Sequence, residues 1–300
     1  MTSRLTPTTA LLLTVPPLMW AGNAVVGRIV SDQVPPMTLN LLRWAIAFVL
    51  LLPLAAWVLR KDSPMWAYWR RFAVLGLLSV GAYNALQYLA LHTSTPINVT
   101  LVASSGPVWM LAIGRLFFGA TITPRQLLGS ALSIAGVLLV LSRGQLDLLL
   151  NLKLVSGDLY VVLATIAWSF YSWMLAQPGK EPVEIRSQWA AFLMAQIVFG
   201  LGWSGLFAAG EWSLTNAHIQ WSGGLLAALL YVAIGPAVLA YRCWGAGIQR
   251  AGPTVAGFFA NLTPLFAGVM SAGLLGQPPH GYHLWAFALI VGGIVVTSRR

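Results

Sequence analysis

The chain has 300 residues, 58% of them hydrophobic and 8% charged, with a formal net charge of +10. A soluble domain carries roughly 25% charged residues, and a mean hydropathy of +0.77 requires lipid as the solvent, so a water-soluble enzyme and a disordered chain are both excluded. The excess of 17 Lys and Arg over 7 Asp and Glu reads as loop charge of a membrane protein, not as a nucleic-acid surface.

A membrane-spanning helix takes about 20 apolar residues, and ten apolar segments follow one another along the chain. Thr8–Val30 comes first. Only Arg4 precedes it and it stays apolar past Ala24, so it reads as an uncleaved helix and not as a signal peptide. Its Pro16, Trp20, Asn23 and Gly27 share a face. Pro36–Leu59 carries Arg43, about 10 Å inward from its start at the usual helical rise. On Phe72–Leu91, Ser79, Tyr83, Asn84 and Gln87 line one face. Pro96–Phe118 holds Asn98, Ser105 and Trp109 on one face and Pro107 in mid-helix. Pro124–Ser142 has small residues instead, Gly129, Ser133 and Gly136. Asp158–Gln177 aligns Ala164, Trp168, Tyr171 and Ser172. Ser187–Ala209 and Gly224–Ile248 come next, the latter with Arg242 near its end. Pro253–Leu275 aligns Thr254, Gly257, Asn261, Pro264 and Gly268, and Leu284–Thr297 carries Ala288, Gly292 and Gly293. The runs are too long, and lack the two-residue alternation, for a membrane barrel. The expected fold is an all-α integral membrane protein with ten transmembrane helices.

Positive charge sets the expected topology. With the N-terminus inside, 12 Lys and Arg fall on the inner side and 3 (Arg28, Arg143, Lys153) on the outer side, while Arg43 and Arg242 lie within helices. Both termini are therefore expected in the cytoplasm.

The chain also repeats. A shift of 157 aligns Thr95–Arg143 with Gly252–Arg300 without a gap, pairing Pro96 with Pro253, Pro107 with Pro264, Gly119 with Gly276 and Gly136 with Gly293. Trp20 matches Trp168 at a shift of 148. Residues 1–143 and 158–300 read as two five-helix repeats joined by a linker, 144–157. Five is odd, so the second repeat must be inverted, and inverted repeats are a transporter architecture with a site near the midplane. The basic loop of Arg60, Lys61, Arg70 and Arg71 answers to Gly210–Gly223, which has no Lys or Arg.

These features resemble the EamA-type branch of the drug/metabolite transporter superfamily. The resembling residues are Trp20 and Trp168, Pro107 and Pro264, the run Gly119–Thr123–Pro124–Arg125–Gln126–Leu127–Leu128–Gly129, and Ala135–Gly136–Val137. Many members carry Glu after the glycine that ends the fourth and ninth helices, where this chain has Ala120 and Gln277. With its aromatic content, the chain is most similar to the YddG-type exporters of aromatic and other neutral amino acids. The resemblance implies an inner-membrane exporter working by alternating access.

The candidate site joins Trp20, Asn23, Ser79, Tyr83, Asn84, Gln87, Asn98, Ser105, Trp109, Trp168, Tyr171 and Asn261. Each has two readings, cavity lining or interhelical hydrogen bonding. Aromatic walls with a few amides suit a mostly apolar molecule with a polar head. Arg43 and Arg242 either snorkel or meet a substrate carboxylate. Pro107 and Pro264 are read as fixed kinks or as a pair of hinges. No Asp or Glu lies at mid-depth, so uniport or exchange is expected rather than proton coupling. No cofactor or metal motif is found. The expected partners are a small-molecule substrate and the bilayer, with no nucleic acid; a monomer suffices, and the small residues of the fifth and tenth helices suit a helix pair or a dimer face. Exporters of drug-like amphiphiles or nucleotide precursors, a channel and a membrane enzyme are the alternatives.

Overall fold

The computed structural model describes residues 5–94, 96–151, 153, 155–177, 179–275 and 281–298, and all regular elements among them are helical. Helix α1 spans Pro7–Ile29 and α2 Pro36–Ala55, continued by a 3₁₀ turn at Ala56–Leu59. The third apolar segment is composite: α3 (Trp69–Gly76), a π-helical stretch at Leu77–Tyr83, then α4 (Asn84–Thr93).

The fourth segment is broken into α5 (Pro96–Ala103) and α6 (Gly106–Phe118). Pro107 has no N–H to offer the carbonyl of Ala103, and α5 ends there. Pro107 then sits in the first turn of α6, where the missing donor costs nothing. The proline is therefore expressed as a break one turn upstream, not as a kink at its own position.

Helix α7 (Pro124–Leu141) starts with a capping box between Thr123 and Gln126. A short α8 (Leu146–Leu150) leads to α9 (Ser156–Ala176). After α10 (Val183–Ser187) come α11 (Trp189–Leu214), α12 (Gly223–Val232), a second π-helical stretch at Ala233–Leu239, and α13 (Ala240–Ala260). Gly252 interrupts α13 with φ 82° and ψ 160°, a conformation that favours glycine. Helix α14 (Leu262–Leu275) starts after Asn261, and its third residue, Pro264, leaves the carbonyl of Ala260 without a helical donor, as Pro107 does at Ala103. The last helix is α15 (Gly281–Ser298).

Nine helices among the described residues are long and apolar enough to cross a membrane. One of them, Gly223–Ala260, has 38 residues and contains the break at Gly252. Unbroken, it would measure about 57 Å, nearly twice the hydrocarbon thickness. The surface carries exposed apolar side chains, among them Leu54, Leu116, Phe117, Leu206, Leu226 and Leu284, as a lipid-facing belt requires. The chain is a multi-pass membrane protein.

Helix α1 packs on α13 and α14, α9 packs on α4, α5 and α6, α2 packs on α11, and α7 on α15. The α7–α15 pair is the closest. A Cβ added to Gly293 would lie 2.6 Å from the Gly129 carbonyl oxygen, so the small residues of these helices are used for packing within the chain.

Side chains tie the bundle at both ends. At one end Arg71 Nε pairs with Glu181 at 2.6 Å, and its Nη2 donates to the carbonyls of Met174 and Gln177 at the C-terminus of α9. At the other, the Glu211 carboxylate of α11 accepts from the N–H groups of Met37 and Thr38 at 3.0 and 2.9 Å and from the Thr38 hydroxyl at 2.8 Å. Ser222 donates to Gln33 and Ser94 to Asp158 at that end as well.

Candidate substrate-binding site

Trp168 on α9 is the hub of the interior. It is 5% exposed and meets five rings among the described residues. These are Trp20 at 5.2 Å, Tyr83 at 4.6 Å, Tyr171 at 5.0 Å, and Tyr241 and Trp244 both at 5.5 Å between centroids. Trp44 extends the cluster, 4.9 Å from Tyr241. Each pair is tilted or edge-to-face, as ring quadrupoles prefer.

The π-helical stretches place these rings. Each winds more residues per turn and so rotates the helix beyond it. Tyr83 ends the first stretch, and Tyr241 and Trp244 come just after the second. Backbone carbonyls of the first stretch take side-chain donors. The Tyr241 hydroxyl donates to the Ser79 carbonyl at 3.0 Å, and Asn40 Nδ2 and Ser204 Oγ donate to that of Val80 at 2.9 and 3.3 Å.

A cavity of about 40 Å³ lies beside Trp168, lined by Tyr83, Met110, Thr165, Ser169, Trp244 and Gly257 among others. The Thr165 and Ser169 hydroxyls donate to their own helix, to the carbonyls of Val161 and Thr165, which leaves the wall apolar. This volume holds a few water molecules. An aromatic side chain enters only if the rings part. The Trp244 indole donates to Ser172 at 3.2 Å, whereas the buried indole N–H groups of Trp168 and Trp44 have no partner among the described residues.

Arg43 on α2 is 1% exposed. Its Nη1 donates to Asn23 Oδ1 at 3.4 Å, its Cζ lies 5.4 Å from the Trp44 ring centroid, and its Nε has no hydrogen-bond partner among the described residues. No carboxylate among the described residues pairs with it. It lies within electrostatic reach of the Tyr83 and Tyr241 hydroxyls.

The structure thus gathers Trp20, Asn23, Ser79, Tyr83, Trp168, Tyr171 and Arg43 around one centre. Asn84, next to Tyr83 in the chain, is buried, and Gln87 lies one turn further along the same helix. Other expected site residues are engaged elsewhere. The Trp109 indole donates to Ser105 at 3.1 Å, and the Ser105 hydroxyl donates to Val102. Asn261 donates to the Ser104 carbonyl at 3.3 Å and to Ser133 at 2.9 Å, bolting the two helix breaks to α7. Arg242 is exposed, its Cζ 4.6 Å over the Trp189 ring. The Asn98 side chain and Gln277 lie outside the described residues. Sequence reading missed Trp44, Tyr241 and Trp244, whose helices carry no polar stripe. The one signal was their adjacency to Arg43 and Arg242.

Comparisons with known proteins cover nearly the whole chain. The EamA-like transporter family model matches twice, at residues 7–142 and 155–299. An uncharacterized transporter of Archaeoglobus fulgidus is 27% identical over 97% of this chain and 98% of its own. A protein of Ancylobacter novellus named aromatic amino acid exporter YddG is 24% identical, covering 94% and 93% of the two chains. A probable amino-acid metabolite efflux pump of Salmonella typhimurium is 26% identical, covering 96% and 92%. A solved crystal structure superposes with a TM-score of 0.74 over 96% of both chains at 21% identity, which establishes a common fold. With both matched stretches together spanning nearly its full length, the chain belongs to the EamA-like transporter family.

Proposed function

We propose that this transporter carries small neutral amino acids, aromatic ones foremost, outward across the inner membrane by alternating access between two inverted five-helix halves. The observation that carries the substrate class is the Trp168 hub, where rings from both halves enclose an apolar cavity. The printed names of two relatives, an aromatic amino acid exporter and a probable amino-acid metabolite efflux pump, support the same reading.

The ten-helix, two-fold reading divides the 38-residue apolar stretch at Gly252. The double match of the family model supports it. So does the packing: α1 against α13 and α14 mirrors α9 against α4, α5 and α6, while α2–α11 and α7–α15 are self-matching pairs. The π-helical stretches and the breaks one turn before Pro107 and Pro264 recur at corresponding places in each half. The charge bias of the loops supports a topology with both termini in the cytoplasm.

The mechanism needs no titrating carrier. Asp158 sits in the first turn of α9, held by Ser94 and the Val155 N–H, and Glu181 is paired with Arg71 at a bundle end. Neither reaches the hub, so the substrate gradient alone drives uniport or exchange. Pro107 and Pro264 mark the two flexible breaks that bend as the halves rock.

The test is a thermal-shift panel on purified protein in detergent. Phenylalanine, tryptophan and neutral aliphatic amino acids are expected to raise the melting temperature, increasingly so as their concentration passes the dissociation constant. Stabilisation by nucleosides or cationic amphiphiles, with none by amino acids, would overturn the substrate assignment.

A further inference from the structure

We infer that Arg43 and Asn23 form a carboxylate subsite, so that the transported molecule must be a zwitterion with its acid group on Arg43 and its ammonium group on the neighbouring ring faces. The inference rests on the proposed amino-acid reading and specifies which end of the substrate binds where. A guanidinium offers five N–H donors and stays charged. Arg43 is 1% exposed, one of its donors reaches Asn23 at a long 3.4 Å, and Nε has no hydrogen-bond partner among the described residues. A cation at this depth normally faces a partner or marks a substrate path. No carboxylate among the described residues supplies the partner. Arg242 shows the contrast: it is exposed and stacked on Trp189, the bland arrangement of a snorkelling side chain.

Geometry sets the orientation. Asn23 lies nearly one turn beyond Trp20 on α1, and Trp20 meets Trp168 at the cavity. A carboxylate on Arg43 would leave the α-ammonium toward the ring cluster around Trp168, where cation–π attraction is available. The side chain would point toward Trp168. Amines and amides that lack the acid cannot neutralise Arg43 and should be excluded, although their rings fit.

The experiment measures counterflow of labelled phenylalanine in proteoliposomes, with unlabelled phenylalanine, phenylalaninamide and phenethylamine as competitors, for the wild type, Arg43→Gln and Arg43→Lys. Only phenylalanine should compete in the wild type. Arg43→Gln should weaken it by about thirty-fold or more, as loss of a charge-assisted pair implies, and should abolish the discrimination against the amide. Arg43→Lys should restore part of the affinity. Equal competition by amide and acid, or unchanged affinity in Arg43→Gln, would overturn the inference. A melting temperature that falls by many degrees in both variants would assign Arg43 to packing and overturn it too. Affinity that depends on chloride in the wild type and not in Arg43→Gln would assign the cation to a resident halide, with the same consequence. If the wild type carries no amino acid, the substrate reading fails separately. Quenching of tryptophan fluorescence by phenylpropionate then decides the subsite: binding lost in Arg43→Gln supports it, and absent or unchanged binding refutes it.

Discussion

The indoles of Trp20 and Trp168 meet edge to face at 5.2 Å, although 148 residues separate them in the chain. Ser104 and Asn261, 157 residues apart, also touch, through the Asn261 amide and the Ser104 carbonyl. Both are pairs that the repeat alignment equates. In an assembly of two equivalent halves, equivalent residues touch each other only beside the axis that relates the halves. On the proposed two-fold reading, the two contacts lie beside the axis that would relate the halves, at the ring cluster and the helix breaks.

Trp168 separates packing from recognition. Its ring is buried among five others, and its indole N–H has no partner among the described residues. Trp168→Phe keeps most of the packing and is expected to lower stability by about 1–2 kcal/mol, while weakening substrate binding several-fold. Trp168→Ala removes the hub and is expected to cost about 3–5 kcal/mol. Chemical denaturation and thermal shift with and without phenylalanine check both values.

Pro107→Ala and Pro264→Ala restore donors for the carbonyls of Ala103 and Ala260 and let the broken helices knit. The expected outcome is slower turnover at unchanged substrate affinity, with stability equal or slightly higher. Exchange rate and dissociation constant, measured on the same preparation, check it. A loss of affinity with normal turnover would remove the hinge role.

Gly293→Ala and Gly292→Ala form a contrast on one helix. The first puts a Cβ 2.6 Å from the Gly129 carbonyl oxygen, and the second meets open space. Gly293→Ala is expected to destabilise by about 1–3 kcal/mol through overpacking. Gly292→Ala is expected to be stabilising by about 0.5–1 kcal/mol, the helical gain of alanine over glycine. Melting curves of the two variants in the same detergent check the pair.

Glu211 ties α11 to the start of α2 through three hydrogen bonds. Glu211→Gln removes the charge that strengthens them. That end of the bundle is then expected to open more often. A cysteine at Gly27, in a Cys243→Ser background, should react severalfold faster with a membrane-impermeant thiol reagent added outside. An unchanged rate would mean that the clamp does not hold a gate.

Much of the helical outline was legible in the sequence because lipid allows little else: runs of about 20 apolar residues with proline starts mark spans directly. The centre was harder to read. A single 3.6-residue phase was assumed through Leu77–Tyr83 and Ala233–Leu239, and the π-helical turns shift that phase. Tyr241 and Trp244 were therefore missed, while Tyr83 and Trp168 were found. Ser105, Trp109 and Asn261 have the composition of a binding stripe, yet their donors bond to one another or to nearby backbone and side chains. Periodicity reports which face a polar group occupies. It does not report whether a neighbour already satisfies it.

The most direct test is counterflow in proteoliposomes loaded with unlabelled neutral amino acids, with no ion gradient and a trace of labelled phenylalanine outside. The expected result is transient accumulation of label, abolished by Trp168→Ala. Absence of accumulation in vesicles holding folded protein, or accumulation only under an imposed pH gradient, would contradict an uncoupled amino-acid carrier.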